Sequence, residues 1–397
     1  MKKLIVTLVL LLAAGMAFSQ PNTSPSEKEG TDLYKQGKMD EAIIAFKKAL
    51  TENPQSLYSM NALGNLYLMN ANYQDAYTVA DKGFKLTGGA PNFMVVKAKA
   101  GIRINKAQEA LTMVDDYLKT HQPDFMMLFV KGSAYNVLGD RQQALTFFSQ
   151  SLAANPDFPD AYIGRGKDLD EIGRYPQAIK DLAKAISLSD DNVQAHYYRA
   201  LAYYHSGDLN AALTDCNKTM ELSPKYYEAL EFRGVVYMDL KQTDKAVADF
   251  NAAIAMAPDY AVAYYHMAGA YMYAKEYNKG LPFIDKAIQL MPNAHEYFWI
   301  RCRLCLYLNK YAEGLTAAQK AMDLDAKSPD SFLLLATAQY DLDKYDDALK
   351  TIANGVTINP DYYLLYMLRA SMYRDKGNNA LADADDLKAK QLAANIK

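Results

Sequence analysis

One spacing constrains this chain more than any other feature. Pro54, Pro156, Pro224, Pro258, Pro292 and Pro360 are all separated by multiples of 34 residues. Windows of 34 residues counted from Pro54 run without insertion from residue 23 to residue 396, as eleven copies. An unbroken period of that length marks a supersecondary unit that buries its apolar face only by stacking on neighbours.

The frame accounts for residues that did not define it. Window position 20 reads Ala42, Ala76, Ala110, Ala144, Ala178, Ala212, Ala246, Gly280, Gly314, Ala348 and Ala382. Position 8 is Gly or Ala in every window but one, where Cys302 stands. Small residues at two fixed points let two helices approach closely. Position 11 is often aromatic (Tyr67, Tyr135, Tyr203, Tyr237, Tyr271, Tyr373), and position 24 is mostly apolar (Phe46, Phe148, Leu182, Phe250, Ile352). Positions 4, 8 and 11 share one helix face, as do 20, 24 and 27. Between the two runs, position 15 is Gly, Asn or Asp in eight windows, residues that tolerate the left-handed conformation ending a helix. The proline at position 32 ends the second helix, because it cannot continue one. Each window therefore reads as helix A, tight turn, helix B.

This pattern resembles the tetratricopeptide repeat. Window 227–260 matches it well, with Leu230, Gly234, Tyr237, Ala246, Phe250, Ala253 and Pro258. The resemblance implies an all-α, superhelical α-solenoid of about eleven 34-residue helix-turn-helix repeats. Residues 31–379 are expected to form the tandem repeats, 20–30 a short polar N-terminal segment and 380–397 a polar C-terminal capping helix. Asp386 at the normally apolar position 24 suits such a cap. Pro21 and Pro25 are expected to interrupt most of the first A helix. Gly88, Gly89 and Pro91 mark an expected looser contact and a candidate hinge between two domains. Arg165, Arg199, Arg233, Arg301 and Arg369 stand where the family has an apolar residue at position 7. Their stems are expected to lie on a neighbouring helix with the charge in water.

The N-terminus reads differently. Lys2 and Lys3 precede an apolar run from Leu4 to Phe18, with Ala17 and Ser19 as small residues before Gln20. Residues 1–19 have the form of a secretory signal peptide, and the run is short of the ~20 residues of a spanning helix. An exported protein is expected, periplasmic or secreted, with no other transmembrane segment. An uncleaved N-terminal anchor is the alternative.

Formal charge is only −3, so no global field favours nucleic acid. Five scattered histidines and the absence of phosphate-loop, nucleotide or metalloprotease motifs argue for no enzyme, no catalytic or metal site and no cofactor. Cys302 and Cys305 form a Cys-x-x-Cys, but mid-helix at positions 8 and 11, which are buried slots. Structural cysteines are expected there. A disulfide stays open, since i and i+3 lie about 5 Å apart at Cα in a helix.

In the family, A-helix positions 2, 5, 6, 9, 12 and 13 line a concave groove. By that resemblance the partner-binding residues here are Tyr197, Tyr198, Tyr204, Phe232, Met238, Tyr265, Met272, Tyr273, Trp299, Arg303, Tyr307, Leu333 and Tyr340. Such an aromatic set suits a protein or peptide partner bound as an extended segment or a helix. An envelope glycan or polymer stacked on the rings is the alternative. A carboxylate clamp for chaperone tails is disfavoured, because position 5 is never Lys or Arg.

Overall fold

The computed structural model describes residues 24–394. The signal-peptide reading of residues 1–19, the first residues of the polar segment and the last three of the C-terminal helix lie outside the described residues. Among the described residues the regular structure is helical, in twenty-two helices. They group into two compact units, divided between Leu222 and Ser223.

The first unit holds α1 (Pro25–Lys35), α2 (Met39–Glu52), α3 (Leu57–Met69), α4 (Tyr73–Leu86), α5 (Pro91–Arg103), α6 (Ala107–Leu118), α7 (Phe125–Val137), α8 (Arg141–Ala154), α9 (Pro159–Glu171), α10 (Tyr175–Leu188), α11 (Val193–His205) and α12 (Leu209–Leu222). The second holds α13 (Tyr227–Asp239), α14 (Thr243–Met256), α15 (Ala261–Tyr273), α16 (Tyr277–Leu290), α17 (His295–Tyr307), α18 (Tyr311–Leu324), α19 (Pro329–Tyr340), α20 (Tyr345–Ile358), α21 (Tyr363–Asp375) and α22 (Asn379–Ala394). Odd-numbered helices are the A helices and even-numbered ones the B helices. Within each unit a B helix packs on its own A helix and on the next A helix, which makes each unit an all-α solenoid stack.

The turn between A and B is the same in every repeat. Position 15 has positive φ in all eleven windows, including Ala71, Lys241 and Lys275, where no Gly, Asn or Asp was available to signal it. The 34-residue geometry imposes the left-handed residue, and the three exceptions bear the steric cost.

In several repeats position 8 packs against position 24 of the same repeat and the two volumes trade off; Gly64 with Ala80 is an exception, its space being taken by Val96. A Cβ added to Gly30, Gly132 or Gly234 would come within 3.0 Å of Phe46, Phe148 or Phe250. Where position 24 is the smaller Val114, Ile284 or Ile352, position 8 is Ala98, Ala268 or Ala336. Cys302, the largest residue at position 8, sits opposite Ala318, and both are buried. The cysteine fills the volume its partner lacks.

Several expectations need correction. Pro25 does not interrupt the first A helix but starts it: it is the first helical residue, inside a Ser24–Glu27 capping box, a position where the missing N–H costs nothing. The segment 20–30 is thus helical from Pro25. The boundary between units falls at Leu222 and Ser223, not at Gly88–Pro91. Gly88 and Gly89 only turn the chain between α4 and α5, with φ of 67° and 108°. The last helix α22 exposes Leu381 and Leu387, 51% and 59% accessible, among its polar residues.

The position-7 arginines are not solvated stems either. Arg165, Arg199, Arg233 and Arg369 each reach an Asp sixteen residues on, at position 23 of the same repeat: Asp181, Asp215, Asp249 and Asp385. Each pair is bidentate, with N–O distances of 2.6–2.9 Å. The aspartates are buried. A buried carboxylate must be paired, and a guanidinium fork matches both oxygens. Arg301 lacks such an Asp, because position 23 is Ala317, and bonds Asp285 of the preceding repeat at 2.7 Å. Lys97 and Lys131, also at position 7, use the same route to Asp81 and Asp115.

Candidate functional site

The A helices of the second unit carry most of the aromatic residues singled out from the sequence. Their stagger of 34 residues brings neighbouring positions of successive helices side by side, within a residue or two of the repeat offset. On α15, Tyr265 stacks on Tyr297 of α17, with centroids 4.9 Å apart. Burial pushes both phenols up, Tyr297 to about 12, so they stay protonated. Trp299 and Met272 pack against the same core cluster as Tyr265.

Along α17 one face carries Trp299, Arg303 and Tyr307, four residues apart, so the three side chains lie one above another. The Arg303 guanidinium is 4.8 Å from the Trp299 ring centroid and 5.6 Å from that of Tyr307. Its Nη2 donates to Tyr307 Oη at 2.6 Å. Tyr307 in turn stacks on Tyr277 of α16 at 4.5 Å. This ladder is half-open: Trp299 and Arg303 are partly exposed and Tyr307 is 46% exposed. Tyr273, at the end of α15, is 55% exposed. On α19, Leu333 and Tyr340 are partly buried against a further cluster. The Tyr340 hydroxyl donates to Asp375, which pushes its pKa up to about 12. Met238, near the end of α13, packs beside Phe250 and Met267.

Phe232 does not belong with this set. It is 7% exposed, and Ile300 and Leu334, at the same position 6, are buried as well. In these three repeats position 6 turns into the stack rather than outward. Tyr197, Tyr198 and Tyr204 lie in the first unit, on α11, where all three are partly buried. Tyr197 and Tyr198 touch each other, and Lys167 of α9 approaches the Tyr198 ring at 5.8 Å.

Sequence reading missed a second class of contact, between buried acids and groups one repeat away. In the first unit, Asp170 bonds His205 Nδ1 at 2.9 Å, and Asn136 donates to Asp168. In the second, Glu231 bonds His266. The signal was available as offsets of 32 and 35 residues, one repeat minus two or plus one. Asp168 is the most unusual of these groups. It is fully buried, its Oδ2 has no hydrogen-bond partner, and burial pushes its pKa up to about 6.

Cys302 and Cys305 are not joined by a disulfide. Burial pushes both thiols up, Cys302 to about 12, the opposite of what a reactive Cys-x-x-Cys needs. Among the described residues, no group of three or more His, Cys, Asp or Glu is placed to hold a metal ion. No described helix is long and apolar enough to cross a membrane. Two open depressions, of about 640 and 660 Å³, lie elsewhere: one beside Phe298, Arg301 and Lys320, the other beside Phe84, Gly89 and Tyr117. Neither is lined by the thirteen residues named above.

With this geometry in hand, comparison with known sequences and structures agrees on the class. Tetratricopeptide repeat profiles match residues 163–227 and 227–260. A profile of anaphase-promoting complex, cyclosome, subunit 3 matches residues 35–117. Residues 163–260 therefore match tetratricopeptide repeats, and the same 34-residue frame continues on either side of the matched segments. No curated protein matches the chain. Among solved structures, it is similar to a tetratricopeptide repeat protein from Parabacteroides merdae, at 18% identity over 65% of this chain and 98% of that one, with a TM-score of 0.50. It is also similar to yeast Tom70, at 15% identity over 92% and 91% of the two chains, with a TM-score of 0.49. At these identities the likeness concerns the fold.

Proposed function

We propose that this chain is an exported, non-enzymatic scaffold that binds a protein partner, as a peptide segment or a helix, on the aromatic A-helix face of its second unit. The observation that carries this reading is the half-open ladder of Trp299, Arg303 and Tyr307, with Tyr265 packed on the same cluster as Trp299 and Tyr273 exposed at the end of the preceding A helix. Rings held by stacking lose little entropy when a partner covers them, and their hydroxyls and guanidinium orient it. Export rests on the N-terminal sequence alone, with the periplasm or the exterior as its destination. Fractionation of cells expressing the full chain, with sequencing of the N-terminus of the recovered protein, tests it; retention in the cytoplasm with Met1 intact would overturn it.

Exposed tyrosine faces such as Tyr273 also suit the stacking of sugar rings, which keeps an envelope glycan as the second reading. Incubation of the purified chain with envelope extract, followed by analysis of captured protein and glycan, separates the two. A Tyr265→Ala, Trp299→Ala double variant should lose the captured protein. Capture of the same proteins by that variant would remove the A-helix face from the proposal, and capture of glycan alone would favour the second reading.

A further inference from the structure

The second unit contains five arginines, and four of them are committed to carboxylates. Arg233 bonds Asp249, Arg301 bonds Asp285, Arg369 bonds Asp385 and Arg374 bonds Asp386. Arg303 is the exception: among the described residues it has no carboxylate within 4.0 Å, and its hydrogen bond goes to the neutral hydroxyl of Tyr307. Its neighbour Arg301, two residues away on the same helix, is neutralised. The difference follows from direction. Position 7 points at the B helices, where the sequence supplies aspartates, and position 9 points along the face that carries Trp299 and Tyr307.

A guanidinium fixed between two aromatic rings has lost part of its hydration and most of its rotamer freedom. It still has unused N–H donors, since an arginine carries five. Such a group is preorganised for a planar, bidentate acceptor, and the side-chain entropy is spent before binding.

We propose that Arg303 is the recognition point for a carboxylate side chain, Asp or Glu, in the partner's bound segment, with Trp299 and Tyr307 covering the apolar residues beside it. This rests on the peptide-binding reading above. The surroundings favour a single acid in an otherwise apolar segment. Among the described residues Arg303 is the one cation of this face with no carboxylate within 4.0 Å, while Asp341, just after the next A helix, is exposed and close enough for its charge to act on Cys302 alongside that of Arg303. A polyanion laid along α17 and α19 would meet Asp341, whereas an isolated carboxylate over Arg303 need not.

The test is selection of random peptides displayed on phage against the purified full chain, followed by titration of the best peptides as synthetic molecules. Enrichment of Asp or Glu at one fixed position beside aromatic or aliphatic residues is expected. Arg303→Gln should weaken those peptides by tenfold or more, and Arg303→Lys by less, because it keeps the charge but loses the fork. Affinity should fall as salt is raised. Arg303→Met, which keeps the stem over Trp299, serves in place of Arg303→Gln if circular dichroism shows the latter to be misfolded. Peptides that bind, lose binding on Trp299→Ala and keep it on Arg303→Gln would overturn this inference and leave the peptide-binding face standing. Absence of any selected peptide would overturn both. Arg303-dependent binding of acidic oligosaccharides with no peptide selected would also overturn it, in favour of a glycan ligand.

Discussion

Arg233 donates two hydrogen bonds, of 2.7 and 2.8 Å, to Asp249, a buried residue sixteen positions later in the same repeat. The arrangement recurs in three other repeats with the same atoms in the same roles. It ties the middle of an A helix to the middle of its B helix. Removing one partner should be costly, because the other is left charged and desolvated. Asp249→Ala is expected to lower stability by about 3 kcal/mol. Repeats without the pair show the apolar solution: Leu63 faces its B helix in a repeat with Val79 at position 23. The double variant Arg233→Leu, Asp249→Val should therefore recover most of the loss. Chemical denaturation of the two variants checks this; equal losses in both would mean the pair contributes through something other than mutual neutralisation.

The trade of volume between positions 8 and 24 gives a second test. In Gly234→Ala the new Cβ would lie 2.5 Å from Phe250, an overpacking expected to cost about 1–3 kcal/mol. Adding Phe250→Ile reproduces the Ala268 and Ile284 pairing found elsewhere in the unit and should relieve much of that cost. A double-mutant cycle by thermal denaturation reads the coupling, and simple additivity would refute it. The same packing predicts silent thiols. Cys302, pushed up to about 12 and buried against Ala318, should not react with a thiol reagent at pH 8 until the protein unfolds.

Turn residues give the third. Lys241 and Lys275 hold φ near 60° because the turn requires it, not because lysine favours it. Lys241→Gly and Lys275→Gly should each stabilise by about 0.5–1 kcal/mol, the steric relief exceeding the added chain entropy. At Gly207, with φ of 88°, the change to Ala should destabilise by a similar amount. Melting temperatures suffice, and a loss of stability in both lysine variants would show that their side chains hold the turn in some other way.

How far such features were legible in the sequence depends on whether they recur with the period. Prolines, the small residues at positions 8 and 20 and the turn glycines repeat in most windows, and the helical hairpins follow from them. Ion pairs repeat in only four windows, and become visible when Arg at position 7 is matched with Asp at position 23, sixteen residues on. Arg301 and Arg303 were told apart by position number, 7 against 9, but Arg301's bond to Asp285 of the preceding repeat was not legible, because it departs from the sixteen-residue offset of the other pairs. Phe232 was placed in the concave groove by its position number, while local packing buries it in the stack. Pro25 looked like a breaker because its role as a first helical residue depends on the Ser24–Glu27 capping box around it.

Asp168 departs from its position more sharply than any other residue. Position 10 is a buried apolar contact in Leu66, Ala100, Ala134, Ala202, Val236, Ala270, Leu304, Ala338 and Met372. At Asp168 the same slot holds a carboxyl with one bond, from Asn136, and an Oδ2 with none. Desolvation dominates and raises its pKa from 3.8 to about 6. The folded state therefore holds this proton more tightly than the unfolded chain does. Between about pH 4 and pH 6 the native state binds more protons than the unfolded state, so the contribution of Asp168 to stability falls as pH rises through that window. Its full cost, about 3 kcal/mol for a shift of roughly two units, applies above pH 6. Asp168→Ala, which restores the residue found in neighbouring repeats, should raise stability at pH 7.5 and much less at pH 4.5, despite the loss of the Asn136 bond. Denaturant titrations of wild type and variant at the two pH values measure the difference directly. A variant that gains equally at both would show that the cost of Asp168 is one of shape and hydrogen bonding rather than charge.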